Sequence, residues 1–138
     1  MANKYLLCLL FLVSACSQQE KEKSNPIVGK WEYERIEKHN GEPIDIRDSA
    51  YNKLHQQHIG LTFSFSKGYV FKVTQKRKGN TEEFIAEQEY EFAGGKKVLR
   101  FEDTGRPDDK FDIIDLSDFL LKINVFQSPI GYWVFRKK

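Results

Sequence analysis

From residue 28 onward the chain alternates apolar and polar positions, interrupted at intervals by short runs rich in Gly, Asn, Ser and Pro. A period of two marks strands with one buried face, because successive side chains leave a pleated backbone on opposite sides. Residues 28–36 place Gly29, Trp31 and Tyr33 together. Residues 59–65 place Ile59, Leu61, Phe63 and Phe65 inward, and after a turn at residues 66–68 Tyr69, Phe71 and Val73 follow. Beyond a turn at residues 78–80, Phe84, Ala86, Gln88, Tyr90 and Phe92 share a face against Glu83, Glu87, Glu89 and Glu91. Segments 97–102, 110–116, 119–125 and 131–137 complete the series, with Phe119, Leu121, Ile123 and Val125 on one face and Tyr132 among the inward rings. Val70, Ile85, Ile114, Leu116, Leu120 and either Trp133 or Phe135 fall on the opposite side.

About eight strands in sequential hairpins predict an all-β, eight-stranded antiparallel up-and-down barrel, since closure removes the unpaired edges of an open sheet. One stretch breaks the rhythm. Residues 48–58 predict a short helix between the first two strands, capped by Asp48 or Ser49, with Tyr51, Leu54 and His58 along one side. A helix there is placed to close one mouth of the barrel, with a surface loop as the alternative.

The N-terminal pattern differs. Lys4 is followed by an unbroken apolar run over residues 5–13, then Ser14, Ala15 and Cys16. This is the layout of a secretory signal, and the apolar run is about half the length of a membrane-spanning helix. Leu12, Val13, Ser14, Ala15 and Cys16 resemble the lipobox of bacterial lipoproteins. The resemblance implies residues 1–15 as a signal peptide of lipoprotein type, lipid attached to Cys16, and a cell-envelope address. Residues 16–26 then form the lipidated cysteine and a polar tether, leaving 27–138 as the folded domain. Ser17 is not the aspartate associated with inner-membrane retention, which points to the outer membrane.

Removal of the signal takes away Cys8, so the mature chain keeps only the modified Cys16. A disulfide, a free thiol nucleophile and a cysteine metal site are thereby excluded. The formal charge of +2 is nearly balanced and contains no long basic block, which argues against nucleic acid. Eleven Phe, six Tyr and two Trp predict a ring-filled interior or a ring-lined cavity.

Gly29 stands two residues before Trp31 at the start of the first strand, and residues 131–136 form an aromatic final strand. In this setting the pair resembles the G-x-W signature of lipocalins, most closely the small lipocalin-like domains of bacterial lipoproteins. The resemblance implies an eight-stranded barrel, with Arg136 packed over Trp31 at its base. It also implies a small hydrophobic ligand held inside or carried between membranes, without a cofactor. The predicted ligand wall comprises Trp31, Tyr33, Phe63, Phe71, Phe84, Tyr90, Phe119 and Tyr132. A solid core remains the alternative, because eight strands admit either outcome. The domain then acts as an envelope protein-interaction or inhibitor module. Gln75 and Gln88, on faces otherwise apolar, argue for a wet interior.

Other polar groupings carry less. His55 and His58 share a helix face without a well-placed acidic ligand, so no metal is expected. Asp103, Asp108, Asp109, Asp112 and Asp115 read as solvated positions around a hairpin. Asp48, Ser49 and Ala50 resemble a short O-glycosylation sequon used by some envelope bacteria. No nucleophile–base, paired-carboxylate or phosphate-loop motif is present, so no catalytic residue is assigned and a non-enzymatic protein is expected.

Overall fold

The structure, a computed structural model, describes residues 25–77, 79, 81–95, 98–101, 110–125 and 130–138. Cys16, the turn residues Lys78 and Asn80, and Asp103, Asp108 and Asp109 lie outside the described residues. Eight strands follow in chain order: β1 (Gly29–Glu37), β2 (Leu61–Phe65), β3 (Val70–Lys76), β4 (Glu82–Ala93), β5 (Val98–Phe101), β6 (Lys110–Leu116), β7 (Leu120–Val125) and β8 (Tyr132–Lys137). Helix α1 (Ser49–His58) lies between β1 and β2. Each strand pairs antiparallel with the next, and β8 pairs back onto β1, so the sheet is a closed barrel. The predicted architecture and the placement of the helix are both observed.

Closure depends on places where the alternation slips. Between Tyr33 and Arg35 the β1–β8 register shifts, leaving Glu34 as the extra residue. Ile85 is the extra residue of β4 and Ile114 that of β6. A bulge bends the strand and reverses the facing of everything beyond it. Phe84, predicted inward, therefore pairs with outward Thr74 and is 56% exposed, with the Lys72 Nζ 5.6 Å from its ring centroid. Leu116, predicted outward, pairs with Leu121 and packs against the core.

Other expectations fail at strand ends. Phe119 sits in the turn between β6 and β7, where the Ser117 hydroxyl accepts hydrogen bonds from the backbone N–H groups of Phe119 and Leu120, and it is 63% exposed. Tyr69 occupies a left-handed turn position at φ 60° and is likewise exposed, as is Ile59 just past the helix. In β8 it is Trp133 and Phe135 that face inward, paired with Ile123 and Leu121, so Tyr132 faces out. Its ring meets His39 edge-on at 4.9 Å.

The interior is dominated by rings. Phe63 is the hub, stacked on Phe135 at 4.4 Å and on Phe111 at 5.8 Å, with Phe71 edge-on at 4.9 Å. Phe71 continues to Phe65 and Phe101, and Phe65 to Tyr90. Offset and edge-on contacts of this kind add to the apolar burial itself. Outside the barrel, Val134 is fully buried between Arg35 and Lys122 on the neighbouring strands. Both cations reach Glu37, at 2.5 and 2.6 Å. Burial alone would raise the Glu37 carboxyl, but the hydrogen bonds from Lys122 and Arg35 outweigh it and hold the group below its ordinary range.

Phe135→Ala is expected to cost about 3–5 kcal/mol in urea unfolding, through loss of the ring and the cavity left behind. Phe119→Ala, at the exposed turn, is expected to stay within about 0.5 kcal/mol of the parent protein in the same measurement.

Candidate functional site

The two ends of the barrel are built differently. At the base, where β1 begins, Asn25 and Pro26 belong to the folded turn rather than to the tether predicted over residues 16–26. The Asn25 carbonyl accepts from the Val28 N–H, and the Trp31 indole N–H donates to the Ile27 carbonyl at 2.8 Å. Trp31 is completely buried. The cation over its ring is Lys137, with Nζ 5.0 Å from the centroid, and not Arg136. Register explains the substitution: Lys137 is the direct partner of Trp31, whereas Arg136 pairs with Glu32 on the outer face. There Arg136 donates two hydrogen bonds to the Glu34 carboxylate, at 3.0 and 3.1 Å. Gly29 makes room for the Lys137 stem, since a Cβ at Gly29 would lie 2.8 Å from the Lys137 Cε. The base is sealed.

The mouth is not. Helix α1 starts where the Asp48 carboxylate accepts from the N–H groups of Ala50 and Tyr51. Its inner side carries Tyr51 and Leu54, which pack on the core, together with His55 and His58. The Tyr33 hydroxyl lies 2.9 Å from the His55 Nδ1. Burial pushes the Tyr33 phenol well above its ordinary value, so it remains a neutral hydrogen-bonding group. The His58 ring rests edge-on against Trp133 at 4.1 Å. At the helix end the Gln75 amide nitrogen donates to the carbonyls of Gln57 and Ile59 at 2.8 and 3.2 Å, fixing α1 to β3.

Among the described residues, the helix covers only part of the opening. Beside it lies a cavity of about 360 Å³, lined by Leu61, Phe63, Phe71, Val73, Ile85, Ala86, Phe101, Phe111 and Trp133, with Gln57, His58, Gln75 and Gln88 as its polar members. A ring-lined space with a few convergent polar groups is the usual form of a small-molecule site. Among the described residues, the lining contains no charged side chain. Among the described residues no group of three or more His, Cys, Asp or Glu side chains is placed to hold a metal.

Of the predicted wall, Phe63 and Phe71 line the cavity. Trp31 and Tyr90 are buried nearer the base, where the Tyr90 hydroxyl donates to the Ser66 carbonyl. Tyr33 is buried against the helix histidines. Phe84, Phe119 and Tyr132 lie outside, as described above. Trp133, Phe101 and Phe111 take their places, and Gln75 and Gln88 are the amides whose position among apolar neighbours signalled a wet interior.

Neither a protein-family model nor a curated protein matches the sequence. Among solved structures, the chain is similar to a lipocalin-like protein from Bacteroides uniformis ATCC 8492, with a TM-score of 0.53 and 18% identity. The likeness covers 82% of this chain and 99% of that one. At this identity it establishes a shared fold: the eight-stranded barrel is of the lipocalin-like kind.

Tyr33→Phe removes the hydroxyl that meets His55 and is expected to cost about 0.5–1.5 kcal/mol. Amide hydrogen exchange should show the loss concentrated in α1, with the strands protected as before.

Proposed function

We propose that this chain is a lipid-anchored protein of the bacterial envelope whose barrel binds a small hydrophobic ligand without catalysing its conversion. The observation that carries the binding role is the ring-lined cavity beside α1, set above a base filled by Trp31. A barrel filled to its top would favour an interaction module instead. Among the described residues, the exposed large apolar side chains are also divided between the two ends: Ile46, Ile59, Phe84 and Ile85 toward the mouth, Tyr69, Ile114 and Phe119 toward the base. That division favours an internal ligand over a single protein-docking face.

Among the described residues lining the cavity there is no hydroxyl, thiol or amine side chain, so no nucleophile is set beside His58 there. The lipid anchor rests on the Leu12-to-Cys16 segment and its short apolar lead-in. Two or more acyl chains on Cys16 would hold the protein stably at a membrane, and Ser17, standing where inner-membrane retention is associated with an aspartate, favours the outer membrane over the inner.

Fluorescent apolar probes should bind the purified protein with saturable enhancement. Val73→Trp, which fills the cavity from β3, should weaken that binding roughly tenfold or more. A flat titration with the parent protein, alongside a cooperative unfolding curve, would remove the ligand-binding role and favour the interaction module.

When the full chain is expressed in a bacterial host, mass spectrometry should find diacylglycerol on Cys16 and the protein in the membrane fraction. Cys16→Ser should release it to the soluble fraction. An unmodified cysteine at this position would overturn the anchor.

A further inference from the structure

Two polar groups of the cavity wall, His58 and Gln75, have their donors already engaged, and this bears on which ligands the cavity accepts. The His58 Nδ1 lies 2.6 Å from the Leu54 carbonyl oxygen. A carbonyl only accepts, so that nitrogen carries the proton and the neutral ring keeps its lone pair on Nε2. The same logic fixes Gln75. Its amide nitrogen faces two carbonyl oxygens, those of Gln57 and Ile59, which leaves Oε1 as an acceptor. Neither Nε2 of His58 nor Oε1 of Gln75 has a protein partner among the described residues.

A third contribution has the same sign. The C-terminal end of α1, at Gln57 and His58, borders the cavity, and a helix C-terminus carries partial negative charge. Among the described residues, Lys76 and Arg77 line an adjoining groove that shares Gln57 and Gln75 with the cavity, and Arg77 is paired with Glu83 at 2.8 Å. Gln57 and Gln88 complete the polar lining as amides able to serve either partner.

We infer that the cavity selects amphiphiles whose polar head donates hydrogen bonds and bears no negative charge, such as a long-chain alcohol or primary amine, over a carboxylate of the same chain. This rests on the reading that the cavity takes a ligand. A hydroxyl or ammonium head meets the free lone pairs of His58 and Gln75. A carboxylate is acceptor-only, so it gains nothing from those two lone pairs and must rely on the remaining N–H groups of the lining, those of Gln57, Gln88 and Trp133.

The test is displacement of a bound fluorescent apolar probe from the full chain by decanol, decylammonium and decanoate. It is run at about pH 8, where decylammonium and decanoate both keep their charge. Decanol and decylammonium should each compete at least about tenfold more strongly than decanoate. His58→Phe keeps a ring against Trp133 but removes the acceptor, and it should narrow that preference severalfold, each competitor being compared with the probe affinity of the same variant. Decanoate competing as well as or better than decanol overturns the inference and leaves the cavity reading standing. An unchanged preference in His58→Phe removes His58 from the recognition. Probe binding with no competition from any of the three also overturns head-group selection. Absence of probe binding removes the cavity reading itself, together with this inference.

Discussion

The pairing of β8 back onto β1 is the constraint on which the rest of the structure depends. Once the sheet is closed, its inward side chains have no solvent to turn to, and the space they enclose is set by the strand count. Phe63, Phe71, Phe111 and Phe135 fill that space near the middle by meeting face to face and edge to face. Trp31 fills the base, with Ile27 taking its indole hydrogen and Lys137 covering its ring. Toward the mouth the inward positions become smaller or polar, at Val73, Gln75, Ala86 and Gln88, and the packing opens into the cavity. One sequence feature thus accounts for both the solid part and the hollow part: large rings give way to amides and small side chains along the same strands.

Closure also requires curvature, and the bulges at Glu34, Ile85 and Ile114 provide places to bend. Each has a use beyond geometry. Glu34 turns outward to receive Arg136, and this leaves Lys137 as the cation over Trp31. Ile85 is displaced to the cavity rim. Past Ile114, Leu116 returns to the interior opposite Leu121.

These devices explain how much of the fold was legible in the sequence. Period-two alternation survives inside each half-strand, so the number of strands, their order and the closed barrel could all be read. The helix was visible through Asp48 and the spacing of Tyr51, Leu54 and His58. The facing of individual rings was less accessible, because a bulge adds a residue without any compositional mark. Phe84 was placed inside for that reason. Phe119 was misplaced by extending a strand through its turn, and Tyr132 because aromatic residues occupy both faces of the last strand. Arg136 and Lys137 are adjacent and chemically alike, so only strand register decides which one covers the indole. The candidate cavity was legible in kind, through the abundance of rings and the two inward glutamines. Its actual wall depended on facings that only the assembled barrel defines.

The turn at residues 25–28 lies at the opposite pole from α1, separated by the length of β1, nine residues or roughly 30 Å of extended chain. Whatever precedes residue 25 in the chain therefore joins the barrel at its sealed end. A bead or a chip fixed to residue 25 would hold the closed pole and leave the helix-flanked end turned away from it.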